Sequence, residues 1–234
     1  MGIENVLAAR YASSAMTGLF SSESKIVFER ELWVAILIAQ KQLGIEISEK
    51  VIEDYKAVVH EVNLSSINER EKVTRHDVKA RIEEFCSLAG HEQIHQGMTS
   101  RDLTENVEQL QIRKGLEVIV DRVVAALARL SALAIEHEQL AIVGRTHNVP
   151  AQITTLGKRF ASAAEELMIS YHRLNDLLNA YPLRGIKGPV GTQQDQMDLF
   201  DGDNSKVFKL EQIVAKHLGF EKVFDSVGQV YPRS

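Results

Sequence analysis

Three short polar clusters are the residues of this sequence best suited to chemistry: Thr74-Arg75-His76-Asp77, Thr99-Ser100-Arg101-Asp102 and Gly144-Arg145-Thr146-His147. Arginine offers a forked set of donors that matches phosphate or carboxylate. Histidine exchanges protons near neutral pH. Hydroxyls and backbone N–H groups at the start of a helix make a natural anion site. Taken singly, each cluster also fits a plainer part, with Asp77 and Asp102 as helix caps and His147 as a satisfied loop residue. Three such clusters in one chain, each pairing arginine with hydroxyls, histidine or both, point to a site for an anionic small molecule. That site would be assembled from several helix ends.

Other motifs carry less. His91-Glu92-Gln93-Ile94-His95 matches the H-E-x-x-H pattern of zinc proteases. That chemistry needs both histidines on one face of a continuous helix and a third ligand further on. Here the segment lies between Gly90 and Gly97, where the helical pattern has stopped, so the zinc reading is set aside. Asn63-Leu64-Ser65 is a glycosylation sequon by spelling alone, since nothing points to secretion. The stretch Gly185-Ile-Lys-Gly-Pro-Val-Gly191-Thr192 is glycine-rich but lacks the Gly-Lys-Ser/Thr of a phosphate-binding loop and follows a helical pattern, so a tight inter-helix turn is the favoured reading.

The elements that must position these clusters are helical. All four prolines (Pro150, Pro182, Pro189 and Pro232) fall after residue 149, and a proline-free stretch of this length, rich in Ala, Leu, Glu, Lys and Gln, favours helix. Phe28, Leu32, Ala35, Ile36, Ala39 and Leu43 share one helical face, which Gly44 would end. Ser48 caps a second helix with the stripe Ile52, Tyr55, Val59 and Val62. A third begins near Asp77 and ends at Gly90. From about Leu103 to about Leu140 the pattern lengthens, with Val120, Val123, Leu127, Leu130 and Ala134 stepping by three and four as in a bundle seam. Such a helix would be roughly 50 Å long. After a break over Gly144–Pro150, Leu156, Phe160, Ala163, Leu167, Tyr171, Leu174 and Leu178 predict another long helix. A Gly/Pro-rich connection follows to Gly202, and a last helix ends at Gly219. Alternating strand-like segments are nearly absent. The expected class is all-α: a small N-terminal helical domain over residues 1–100, then a long-helix bundle domain over residues 101–234.

Composition narrows the function classes. The 234 residues are 44% apolar and 25% charged, enough to fill a core. No apolar run reaches the ~18 residues that span a bilayer, and Glu4 and Arg10 interrupt any signal-like stretch, so neither a membrane partner nor secretion is expected. The single cysteine, Cys86, excludes an internal disulfide and suits a reducing cytoplasm. A net charge of −5 argues against a nucleic-acid partner bound through a basic surface.

Read together, Arg10-Tyr11-Ala-Ser, Thr74-Arg-His-Asp-Val78, His95-Gln-Gly-Met-Thr-Ser-Arg-Asp102, Gly144-Arg-Thr-His147 and Gly188-Pro-Val-Gly-Thr192 resemble the adenylosuccinate lyase family, within the fumarase/aspartase superfamily. The resemblance runs from about residue 10 to the end. It implies a homotetramer whose long helices form a common core, with active sites shared among subunits and no metal or organic cofactor. The implied reaction eliminates fumarate from adenylosuccinate, giving AMP, and from the succinylated imidazole-carboxamide ribotide of purine biosynthesis.

Carried over by position, the resemblance makes His147 the general acid on the leaving nitrogen, with His76 supporting catalysis. Arg10 and Tyr11 would hold the nucleotide phosphate end. Arg75, His76 and Asp77 would line the nucleotide. Thr99 and Ser100 would donate to a succinyl carboxylate, and Gln229 would contact the succinyl group, with Arg233 assisting. His95 resembles a further site-lining histidine. The family's Ser-Ser-x-Met-Pro-x-Lys-x-Asn loop, which carries the serine base, has no full match. Ser13-Ser14-Ala-Met16 continues Thr-Gly-Leu without the proline or lysine, so neither serine is assigned as the base. The loop is expected beyond residue 234, and the chain reads as the N-terminal part of the enzyme. Two alternatives stay open: another superfamily lyase or cycloisomerase acting on a different carboxylate, and a non-catalytic helical assembly module.

Overall fold

The computed structural model describes residues 5–231. Among them the elements run α1 (Val6–Arg10), α2 (Ser14–Leu19), α3 (Ser22–Gln42), α4 (Glu49–Ala57), α5 (Leu64–Thr74), α6 (Asp77–Ala89), α7 (Ser100–Glu136), β1 (Ala141–Thr146), β2 (Val149–Thr155), α8 (Leu156–Ala180), α9 (Gln194–Leu199) and α10 (Asn204–His217). The all-α class holds, with one two-stranded hairpin as the exception. Internal contacts divide the chain into two units: residues up to 113 together with those from 181 onward, and residues 114–180. No helix among the described residues is long and apolar enough to cross a membrane.

The helix starts follow the sequence closely, whereas α4 ends at Ala57, before Val59 and Val62 of the expected stripe. Ser13, Ser21, Ser48 and Asn63 accept backbone N–H groups as N-caps of α2, α3, α4 and α5. Gly90 takes the left-handed conformation (φ 74°) that ends α6, and no side chain pays for it there. Helices α1, α2, α5 and α9 lie outside the expected set, for a physical reason: α1 and α2 bury no residue, and α5 and α9 bury one each, Ile67 and Gln196, so none carries an apolar stripe.

The core of the larger unit forms around α3. Leu32, Trp33, Val34, Ala35, Ile36 and Leu37 are consecutive and all buried, so α3 is enclosed on every side rather than along the single expected stripe. It packs against α4 and α10, while α6 packs against α4 and α5. The first turns of α7 bury two faces at once. Leu103, Val107 and Leu110 enter the apolar core, and Asp102, Glu105, Asn106 and Gln109 are fully buried on the neighbouring face.

In the smaller unit, the break expected over Gly144–Pro150 is instead an antiparallel hairpin, with Ala141 opposite Thr155 and Thr146 opposite Val149. His147 and Asn148 form the two-residue turn, both left-handed at φ 47° and 63°. Two consecutive positive φ angles match the twist of paired strands, as in a type I′ turn. Hairpins usually signal this with Asn-Gly; His-Asn between strands interrupted by Gly144 and Pro150 hides it. Helix α8 returns beside the end of α7, where Gly157 donates its N–H to the His137 carbonyl at 3.0 Å. A Cβ at residue 157 would run into the Ala134 carbonyl oxygen, so this approach requires glycine.

Candidate active site

Two of the three polar clusters meet in the larger unit. The turn between α5 and α6 is built by its own sequence. Arg75 closes α5 in the left-handed conformation (φ 52°), and the Thr74 hydroxyl donates to the His76 carbonyl at 3.1 Å. The N-cap of α6 is then His76 rather than Asp77. His76 Nδ1 accepts the Lys79 N–H at 3.3 Å. An accepting Nδ1 leaves the proton of the neutral ring on Nε2, and Nε2 lies 3.4 Å from Ser100 Oγ, at the first residue of α7. Thus His76 and Ser100, separated by 24 positions, are brought into contact. Both remain solvent-accessible, as a binding surface requires.

Asp77 is held from the other side. Arg81 bridges Asp77 Oδ2 at 3.0 Å and the buried Glu29 Oε1 at 2.7 Å. Burial raises the Glu29 carboxyl to about 7 even with Arg81 beside it. Arg75 itself is exposed next to His76.

The start of α7 is fixed by a buried polar network. The Asp102 carboxylate accepts from Thr99 N at 2.9 Å, Lys187 N at 2.9 Å and Gly188 N at 3.1 Å, and it pairs with the fully buried Arg184. Burial pushes this carboxyl up, and the donors pull against that. Asn106 and Gln109 exchange bonds with the backbone of residues 182, 184 and 185. Glu211 accepts from Ile186 N at 2.8 Å and Lys187 Nζ at 2.7 Å. The glycine-rich stretch 185–192 is therefore not a free turn but a strap tied to α7, which orients Thr99 and Ser100. This network was missed from sequence. Asp102 was visible only as a cap, and no local pattern marks Arg184, Asn106 or Gln109 as its partners.

His95 stands beside this cluster. It takes a left-handed conformation (φ 67°), and its Nδ1 accepts the Trp33 indole N–H at 3.0 Å. Burial, with His76 nearby, lowers His95 to about 4, so it is neutral at physiological pH. His91, the other histidine of the zinc-like spelling, pairs instead with Asp54 at 2.7 Å. Residues 91–98 are not helical, so the two histidines share no helix face.

Arg10 and Tyr11 sit exposed at the end of α1, with Tyr11 76% accessible. Gln229 is exposed, and its carbonyl accepts from Arg184 Nη2 at 3.2 Å. Arg233 lies outside the described residues. His147 belongs to the smaller unit, exposed at the hairpin tip, where Arg145 Nη1 donates to the Asn148 carbonyl at 3.1 Å.

A helical scaffold with one very long helix, and polar side chains gathered where helices start, defines the class: an all-α protein with a candidate anion-binding site at helix ends. Residues 10–223 match the family described as Lyase, and the chain belongs to that family. Among its relatives, the adenylosuccinate lyase of Schistosoma mansoni is 36% identical over 233 residues, covering 98% of this chain and 48% of that protein. The adenylosuccinate lyase of Schizosaccharomyces pombe is 37% identical, covering 97% and 48%. The chain thus spans about half the length of the curated relatives it matches. Among solved structures, a fumarate lyase from Mesorhizobium sp. BNC1 superposes with a TM-score of 0.77 at 25% identity, covering 92% of this chain and 50% of that one. A 3-carboxy-cis,cis-muconate lactonizing enzyme from Pseudomonas putida reaches 0.78 at 18% identity, over 95% and 50%, a likeness of fold alone.

Proposed function

We propose that this chain is part of an enzyme that eliminates fumarate from adenylosuccinate to give AMP, and from the succinylated imidazole-carboxamide ribotide. The observation that carries this reading is the contact of His76 with Ser100, because it gathers two motifs that also resemble adenylosuccinate lyases. Identities of 36% and 37% across nearly the whole chain support the same reading.

The elimination makes three demands. A base removes a proton from the carbon next to a carboxylate, donors stabilise the charge that spreads into that carboxylate, and an acid protonates the nitrogen as the C–N bond breaks. Thr99 and Ser100, at the start of α7, supply hydroxyl and N–H donors to the succinyl carboxylate. Arg75, His76 and Asp77 line the nucleotide, Arg10 and Tyr11 hold its phosphate, and Gln229 contacts the succinyl group. His147, exposed at a two-residue hairpin turn, is the general acid. None of these residues is the base, which this reading draws from outside the 234 residues. The division into domains at residues 1–100 and 101–234, the homotetramer with shared sites, the cytoplasmic location and the place in purine biosynthesis belong to the same proposal.

The test is fumarate release by the full-length protein carrying His147→Ala. The expected loss is about a hundredfold or more, the usual worth of a general acid. A loss below about tenfold, or ~1.4 kcal/mol of barrier, removes the assignment. Binding of AMP by wild type separates this reading from lyases and cycloisomerases of other carboxylates, which need no phosphate contact.

A further inference from the structure

Trp33 takes no part in the proposed chemistry, yet it touches the cluster that does. Its side chain is 1% exposed, stacked on Phe85 with centroids 6.0 Å apart and planes 24° from parallel. Phe85 is in turn covered by the Arg30 guanidinium at 4.7 Å, and Arg30 is buried and paired with Glu84. The indole is therefore locked in plane and in direction. Its N–H can only donate, and it donates to His95 Nδ1 at 3.0 Å, with the two rings edge to face.

We propose that Trp33 is a positioning residue that holds His95 as the tautomer protonated on Nε2, so that His95 presents a fixed neutral donor beside His76 rather than a proton-transfer group. The reasoning is one of elimination at the ring. A nitrogen that accepts a hydrogen bond carries no proton, so the single proton of the neutral imidazole sits on Nε2. Burial makes the charged form costly, which removes the doubly protonated state. The backbone is held as firmly as the ring. Gln40 donates to the Gln96 carbonyl at 3.1 Å and Gln196 to the Gly97 carbonyl at 2.5 Å, pinning the segment around the strained His95. The Nδ1 of His76 is likewise occupied, by a backbone N–H, which leaves its Nε2 facing Ser100. A neutral His95 with Nε2–H as its remaining donor suits the recognition of an anionic oxygen.

The role of His95 toward substrate rests on the lyase reading, whereas its tautomer does not, and two measurements keep them apart. Solid-state NMR of sedimented full-length protein with 15N-labelled histidine is expected to show His95 protonated on Nε2 only, assigned by its loss in His95→Gln. Trp33→Phe is expected to yield a mixture of tautomers. A wild-type signal from Nδ1–H, or an unchanged signal in Trp33→Phe, overturns the proposal. If that variant does not fold, the wild-type spectrum alone decides. In the second measurement, fumarate release from adenylosuccinate, Gln keeps a neutral donor where Nε2 was, and Asn places it where Nδ1 was. His95→Gln is expected to keep turnover within about tenfold of wild type, with His95→Asn and His95→Ala at least a further tenfold lower. Equal losses in all three overturn the donor role. Failure of wild type to turn over adenylosuccinate overturns the substrate reading and leaves the tautomer result standing.

Discussion

The two halves of α7 share one helix, yet the first is rich in polar and charged residues and the second in Ala, Val and Leu, and they meet opposite surroundings. In the first half, even charged groups are buried and partnered: Asp102 with Arg184 and three backbone N–H groups, and Glu105 with Tyr231 N at 2.8 Å. In the smaller unit, apolar residues face outward. Ile119, Val124 and Ile135 on α7, Val143, Val149 and Ile153 on the hairpin, and Met168, Ile169 and Leu177 on α8 are all exposed. Both units expose apolar side chains, Val73, Val190 and Phe208 among them in the larger one. The larger unit also encloses a buried apolar and polar core, whereas the smaller one presents a surface of apolar residues from two helices and a hairpin that its own residues do not cover. That surface agrees with the proposed homotetramer, in which bundled helices would cover it.

The strongest way to break this contrast is at Arg184. Arg184→Ala strands Asp102 without its cation in a dry setting, and removal of one buried partner costs about 3–5 kcal/mol. Denaturant unfolding of the full-length protein should show that loss; a change under about 1 kcal/mol would mean the network is not holding the unit together. His147→Ala is the counterpart, because His147 is exposed: stability should move by less than about 0.5 kcal/mol while turnover collapses.

Next in size is Gly191→Ala. Gly191 has φ 85°, and a Cβ there would run into the Val227 carbonyl oxygen, so the strap must shift. A destabilisation of about 1–3 kcal/mol is expected, with a raised KM if the strap orients Thr99 and Ser100. Thermal melts and steady-state kinetics on the same sample would read both.

Smaller again is Ile153→Ser on the hairpin. At 79% exposure it should cost the isolated fold less than about 0.5 kcal/mol. If the surface is covered by a second copy, the variant should instead shift the oligomer toward smaller species in sedimentation velocity. No shift would leave Ile153 outside any interface and weaken the contrast.

The mildest test is pH. Glu29 is raised from 4.5 to about 7, so between those values the folded state keeps a proton that the unfolded state has released. Stability from this group therefore falls as pH climbs through that window. Glu29→Gln cannot ionise, and its melting temperature should vary less across the window than that of wild type. An equal slope in both proteins would show that Glu29 is not the group responsible.

Much of this was legible in the chain because it is local. Ser48, Gly90 and the helical run of α7 act through neighbours within a turn or two, where spacing alone decides. The polar clusters were legible as types suited to an anion, and the family resemblance extended them to named roles. The hairpin was not, since its turn uses His147 and Asn148 where strand signals usually carry glycine. Nor was α3 legible as enclosed on all sides, because its apolar run reads equally as one broad stripe.

What the sequence determined by itself is helix: where the helices with an apolar stripe begin, about how long α7 runs, and which residues at their ends have donors and protons to offer. Only tertiary structure decided that His76 meets Ser100, that Asp102 is buried against Arg184 82 positions away, and that Trp33 fixes the ring of His95 62 positions on. The physical reason is range. Helix propensity and capping act over three or four residues, whereas a buried hydrogen bond depends on which distant groups the packed core places within 3 Å of one another.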